Sequence, residues 1–278
     1  MKRIFLVFGL FFLTIQTFAQ NKNFHIYLCI GQSNMEGAGR IQAQDTLDID
    51  SRFKILEALD CPELGREKGK WYTAKPPLCR CKTGLSPADY FGRTMLKSMK
   101  KKQSLGLVHV AVAGSKIEIF DKEKYKTYLD TSAAERPWMI KMADAYGGNP
   151  YQRLVEMAKI AQKEGVIKGI LLHQGESNTG DKTWPAKVKK IYDDLLSDLN
   201  LAPNSIPLIA GEVVNADQGG KCAIHNEIIA TLPQSIPKAI IVSSKGIPAV
   251  PDKLHFTTEG VREFGKRYAE ALLEFSKK

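Results

Sequence analysis

Apolar residues along this chain gather into short unbroken runs separated by stripes of helical period. The first run, Phe24 to Ile30, is largely β-branched or aromatic and reads as a strand buried on both faces. Gly31 ends it and permits a tight turn. Four further runs follow: Leu105 to Ala113, Ile167 to His173, Ile206 to Val213 and Ala239 to Ser243. Between them the apolar spacing becomes helical. Phe91, Met95 and Met99 mark a helix opened by Ser86-Pro87, with serine at the N-cap and proline in the first turn. Leu154, Met157, Ala158 and Ala161 mark a second, capped by Asn149 and Pro150. Val188, Ile191, Leu195 and Leu199 mark a third, starting near Trp184-Pro185. Gln218 to Leu232 reads as a helix containing Cys222 and His225, and a last helix runs from Thr257 with Phe264, Tyr268, Leu272 and Phe275 inward. Strands alternating with helices imply right-handed crossovers and a parallel sheet of five strands covered on both faces.

Two long stretches break this alternation, Glu36 to Gly84 and Lys116 to Gly148. Loops of this length inside a compact domain are usually functional. Their aromatics, Trp71, Tyr72, Trp138 and Tyr146, point to ordered segments that wall a pocket. No internal repeat or linker divides the chain. The N-terminus has its own pattern. Lys2 and Arg3 precede an apolar run from Ile4 to Leu13, and Thr17 and Ala19 supply small residues before a cleavage site. This is the layout of a secretory signal peptide over residues 1–19, leaving one domain over residues 20–278. The apolar run is too short to span a bilayer, and no other span candidate follows. The expected location is periplasmic or secreted.

Composition and charge exclude more than they identify. Of 278 residues, 44% are hydrophobic and 25% charged, enough for a sizeable core. The formal charge of +10 is scattered, and its densest run, Lys97 with Lys100 to Lys102, closes a predicted helix where cations suit the macrodipole. Nucleic acid is therefore not the expected partner. All five cysteines lie beyond the leader. Cys29 reads as a buried small hydrophobe. Cys61 could pair with Cys79 or Cys81, closing a loop of about twenty residues worth about 3 kcal/mol. The Cys79-Arg80-Cys81 spacing is too tight for a zinc knuckle, and no metal site is expected. His109, inside the second strand, reads as a core histidine.

The candidate chemistry lies where strands end. Ser33, Gly114-Ser115, Gln174 to Asn178, and Asp252 with His255 all follow apolar runs. Carboxyl ends of parallel strands lie together and form the ligand-binding edge of open α/β sheets. A serine hydroxyl needs a base, and the base needs an orienting acid. His255 can serve Ser33 as base, and Asp252, three residues earlier, can hold the imidazole in the required tautomer. The Ser33 and Gly114 amides and the Gln174 side chain are candidate donors to a developing oxyanion.

The strings Gly31-Gln32-Ser33-Asn34-Met35, Gly114, His173-Gln174-Gly175-Glu176-Ser177-Asn178 and Asp252-Lys253-Leu254-His255 resemble, in order, the conserved blocks of SGNH hydrolases. The version seen here is similar to the sialate O-acetylesterase and acetylxylan esterase group, carbohydrate esterase family six. The resemblance implies a flavodoxin-like, three-layer α/β/α fold. It also implies an exported serine esterase that removes O-acetyl groups from a polysaccharide or glycan through an acetyl-enzyme, without a cofactor. One block departs from the general pattern, in which an asparagine after the third strand joins the oxyanion hole. Gln174 takes that place here, with Asn178 the alternative. Glu176 is the alternative acid, or a support for the loop that holds Gln174. Two other functions fit the same residues. One is a serine esterase for other small acyl groups. The other is a non-catalytic polysaccharide-binding module using Trp71, Trp138 and Tyr146, against which the complete Ser33, His255 and Asp252 set counts.

Overall fold

The computed structural model of the protein describes residues 20–277, so the expected leader over residues 1–19 lies outside the described residues. Strand β1 (Asn21–Gly31) opens the domain and leads into a one-turn helix, α1 (Ser33–Glu36). Helix α2 (Ala43–Thr46) and strands β2 (Phe53–Leu56) and β3 (Trp71–Thr73) follow. Next come α3 (Pro87–Ser98), β4 (Ser104–Ala111), α4 (Tyr125–Ser132), α5 (Pro137–Ala145), α6 (Pro150–Gln162) and β5 (Gly165–His173). The carboxy-terminal part holds α7 (Trp184–Asp198), β6 (Leu208–Gly211), α8 (His225–Ile229), α9 (Leu232–Ser235), β7 (Ala239–Val242) and α10 (Thr258–Phe275). The expected caps are in place. The Ser86, Asn149 and Thr257 side chains accept the amides of Ala88, Gln152 and Gly260, satisfying donors that a helix start leaves open.

The sheet has seven strands in the order β3-β2-β4-β1-β5-β6-β7. All neighbours are parallel except β3, which runs antiparallel along the outer edge of β2. The five strands expected from the apolar runs are adjacent, from β4 to β7. The expected count of five is corrected by β2 and β3, which come from the polar stretch between Glu36 and Gly84. Phe53, Ile55 and Leu56 are fully buried in β2. A four-residue run interrupted by Lys54 is too short to stand out as a period. A second correction falls on Gln218 to Leu232, expected as one helix. The Asn215 carbonyl gathers the Gln218 and Gly220 amides into a turn, and helix appears only as the separate α8 and α9.

Alternate strand residues feed two cores. Ile26, Leu28 and Ile30 of β1 join one cluster with residues of α5, α6 and α7. Tyr27 and Cys29 face the other, with α3 and α10. Helices thus cover both faces, and β1 is central in the sheet and buried between them. Burying each large apolar side chain contributes roughly 1.5–3 kcal/mol before the cost of chain ordering. Among the described residues no helix is long and apolar enough to cross a membrane.

Trp71 does not wall a pocket at the catalytic edge. It lies at the sheet margin against Phe24, with ring centroids 4.8 Å apart, and its indole donates to Glu164. The long segment that carries it is closed by a disulfide between Cys61 and Cys81, leaving Cys29, Cys79 and Cys222 as thiols. Cys79 is buried beside the Tyr146 hydroxyl, 3.3 Å away, and burial pushes its thiol up to about 12. Thiol titration in denaturant without reductant should therefore count three free thiols. A count of five would show that the bridge is not formed. With a span of 20 residues, Cys81→Ala should lower the unfolding free energy by about 3 kcal/mol relative to the oxidised protein.

Candidate active site

Three strands end at one level. Gly31 pairs with Ala111 of β4 on one side and His173 of β5 on the other. A side chain at Gly31 would begin 2.1 Å from the His173 carbonyl oxygen, so only glycine lets the strands finish this close. The loops that leave β1, β4 and β5 therefore meet. Ser33 starts α1, Gly114 lies in the turn after β4, and Gln174 directly follows β5.

Ser33 is half-buried, and its Oγ lies 2.8 Å from His255 Nε2. His255 Nδ1 lies 2.7 Å from Asp252 Oδ2. The other Asp252 oxygen accepts the Leu254 and His255 amides, at 2.8 and 3.0 Å. One carboxylate thus folds its own turn and holds the imidazole, which is why a three-residue spacing suffices. The turn is closed by the Lys253 and Val250 amides, which donate to the Val250 and His255 carbonyls. Burial works to raise the Asp252 carboxyl. The His255 ring and the two amides outweigh it and hold Asp252 below the usual carboxylate range.

Glu176 occupies a different place. Both nitrogens of His255 are already engaged. Glu176 Oε1 instead accepts Asn34 Nδ2 at 2.7 Å and lies 3.8 Å from His173 Nδ1. Asn34 is fully buried and also donates to the Leu254 carbonyl and accepts the Phe256 amide, at 3.0 and 3.3 Å. It therefore clasps the chain on both sides of His255. This asparagine, next to Ser33 in sequence, was missed in the sequence reading; the Gln-Ser-Asn string was its only signal.

The structure does not bring the Gln174 side chain, expected as an oxyanion donor, to the lining of the cleft. Gln174 is 1% exposed. Its Nε2 donates to Gln32 Oε1, the Ser115 carbonyl and Asn178 Oδ1, at 3.1, 3.2 and 2.8 Å. Its Oε1 accepts the indole of fully buried Trp184, a donor that needs a buried acceptor. Asn178 is likewise turned away. It accepts the Ile117 amide and donates to Glu118 and Asp181. The amide that does line the cleft is Gln32, whose Oε1 is held by Gln174 and by the Ser177 amide at 3.2 Å. No acceptor among the described residues takes the Ser33 or Gly114 N–H.

The cleft over Ser33 has a volume of about 620 Å³, in the range of small-ligand sites. Ala113, Gly114 and Leu254 line it near the serine, with Arg136 and Trp138 on the wall formed by the start of α5. Trp138 is 45% exposed. Tyr146 is buried and plays no part in the cleft. His109 sits in the core as expected, and burial lowers it to about 4.

A sheet edge carrying a serine, a histidine and an aspartate in one hydrogen-bonded chain defines a hydrolase-like site. The chain belongs to the family described as carbohydrate esterase, sialic acid-specific acetylesterase, whose model matches residues 23–274. It is thus an enzyme of the carbohydrate O-acetylesterase class. A curated relative from Arabidopsis thaliana, described as a probable carbohydrate esterase, is 25% identical over 89% of this chain and 90% of its own. A solved Arabidopsis thaliana structure superposes with a TM-score of 0.69 at 23% identity, over 91% of this chain and 99% of that one. NanS gives 0.62 at 15% identity, over 93% and 99%. A carbohydrate acetylesterase from Xanthomonas citri gives 0.60 at 17% identity, over 88% of this chain and 55% of that one. These structures share the fold of the present chain.

The new place of Gln174 carries a measurable consequence. Gln174→Ala leaves the Trp184 indole and the Ser115 carbonyl without their partner in a buried site. It should lower the unfolding free energy in urea by roughly 2–3 kcal/mol. Wild-type stability would show that the buried amide ties nothing together.

Proposed function

We propose that this protein hydrolyses O-acetyl esters of carbohydrates through Ser33, His255 and Asp252, by way of an acetyl-enzyme. The observation that carries the reading is the unbroken chain from Ser33 Oγ to His255 Nε2, and from His255 Nδ1 to Asp252, at the mouth of the cleft. Ser33 Oγ attacks the acetyl carbonyl carbon while His255 takes its proton. Asp252 keeps the proton of Nδ1 in place and stabilises the imidazolium. Negative charge moves to the carbonyl oxygen, where the Ser33 and Gly114 amides and the Gln32 side-chain amide are the donors at hand. Collapse breaks the bond to the sugar oxygen, which leaves with the proton from His255. A water molecule, deprotonated by His255, then releases acetate and restores Ser33.

The substrate is an acetylated glycan of sialate or acetylxylan type. The family description supports the first, and Trp138 and Arg136 give the cleft a ring-stacking surface and a cation. Acetate release from O-acetylated sialic acid and from acetylxylan, compared side by side, decides between them. We further propose that the chain is exported. The expected leader supports this, as does the Cys61–Cys81 disulfide, since such bridges persist in oxidising compartments.

Ser33→Ala should abolish acetate release and labelling by an organophosphonate ester. Asp252→Asn should lower kcat by about 10³–10⁴ with the fold intact by circular dichroism, as the same change does in the serine-protease triad. Glu176→Gln can still accept from Asn34 and should cost less than about tenfold. A severe loss in Glu176→Gln beside a mild one in Asp252→Asn would move the acid to Glu176.

A further inference from the structure

We infer that Arg136, assisted by Ser177, is a positioning residue that fixes the Gly114 amide as an oxyanion donor; the inference rests on the hydrolytic reading above. The turn after β4 is held at both of its flanks. On one side, the Ala113 N–H donates to Glu36 Oε1 at 3.2 Å. On the other, the Gly114 carbonyl accepts Arg136 Nη1 at 2.7 Å and Ser177 Oγ at 2.9 Å. Peptide units are planar, so a loop moves only by rotation between planes. The plane that ends in the Ala113 nitrogen is fixed by Glu36. The plane that begins with the Gly114 carbonyl is fixed by Arg136 and Ser177, by its own Ser115 N–H on the Val112 carbonyl at 3.3 Å, and by Gln174 through the Ser115 carbonyl beyond it. Between them lies a single peptide plane, and its nitrogen is that of Gly114. It lines the cleft beside Ser33, and no acceptor among the described residues takes its N–H.

The clamp matters because one of the two residues that flank this plane is glycine. Gly114 has a φ of +65°, a conformation glycine enters and leaves freely. A stiffer residue would be strained at this φ, and its Cβ would lie 2.2 Å from Trp138 Cη2, so that ring would have to move. The turn's own bond from Ser115 N–H to the Val112 carbonyl is long, at 3.3 Å, and the bonds from outside add the rest of the rigidity. A charged guanidinium makes a hydrogen bond roughly twice as strong as a neutral donor, so Arg136 is the main restraint and the Ser177 hydroxyl the lesser one. Arg136 is itself well seated. It is the residue before Pro137 at the start of α5, its carbonyl accepts the Met139 amide at 2.9 Å, and Met139 and Ala143 bury the inner face of that helix. Glu36, on the other flank, belongs to the helix that Ser33 begins. It is held by two bonds from Arg80, at 3.0 and 2.9 Å. Nucleophile and oxyanion donor are thereby referred to one frame.

Arg136 also lines the cleft, so the competing role is direct contact with the glycan. Hydrolysis of 4-nitrophenyl acetate, which carries no sugar, separates the two. In Arg136→Ala, kcat on this ester should fall about 10- to 100-fold while KM stays within about twofold, a fraction of the loss known for deleting an oxyanion donor. Millimolar guanidinium ion should restore part of the rate, and inactivation by an organophosphonate should slow in the same proportion. Unchanged kcat on 4-nitrophenyl acetate, with a raised KM for acetylated glycan, would overturn the inference and make Arg136 a glycan contact. Ser177→Ala, a smaller change, provides the second variant if Arg136→Ala does not fold. It should lower kcat about 3- to 10-fold by the same kcat-only pattern, and wild-type kcat in it would overturn the inference as well. The wild type and Ser33→Ala test the parent reading. If the wild type hydrolyses the ester and Ser33→Ala does not, wild-type rates in both clamp variants defeat the clamp alone. If the wild type is inert, both readings fall.

Discussion

The side-chain amide of Gln174 is the interaction on which the arrangement at the sheet edge depends. A primary amide has two N–H donors and a carbonyl acceptor, and here all are spent inside the protein. They join the turn before Ser33, the turn after Gly114, the third block itself and the first residue of α7. Three of these segments leave different strands, and strand ends by themselves fix only where loops start. In a dry interior each such bond is electrostatically stronger than in water, and each unmade one is costly. The network therefore sets the relative placement of the loops more sharply than apolar packing, which is non-directional, could do.

Charge buried behind the site continues the same task. Glu36 is 6% exposed, and burial pushes its carboxyl up, with Arg80 and the Ala113 amide offsetting part of that effect. A lone buried carboxylate would be expensive; paired and hydrogen-bonded, it serves as a fixed point instead. Arg80 stands between Cys79 and the bridged Cys81. The covalent closure of the long segment after α1 is thus one residue away from the guanidinium that steadies Glu36. That segment supports the site from behind and contributes nothing to the cleft wall, contrary to what its length and aromatic content suggested.

The readable parts of the sequence were those with a repeating signal. Five apolar runs gave the adjacent strands β4 to β7, and local caps at Ser86, Asn149 and Thr257 marked three helix starts. Asp252 and His255 were legible as neighbours because their geometry is closed within one turn. The strands β2 and β3 were not, because runs of four and three residues carry too little periodicity. Gln174 misled for a related reason. The string shows that a polar side chain follows a strand, but its direction is decided by Trp184, ten residues on, and by Ser115 from another loop. Arg136 gave no signal at all. Its partner is a backbone carbonyl, and backbone atoms leave no mark on the sequence.

The closed turn from Val250 to His255 has a mechanical consequence. Asp252 and His255 are carried on one small body braced by its own backbone, so a displacement of the turn carries both side chains together. The body is tied to the helix that Ser33 begins through Asn34, which grips it at Leu254 and Phe256, and to the loop after β6 through the Lys221 amide on the Lys253 carbonyl. What lies between the two bodies is the gap from the imidazole to the serine oxygen, 2.8 Å here. In the proposed reaction that gap is the distance a proton crosses, and the Asn34 bonds are among those that hold it.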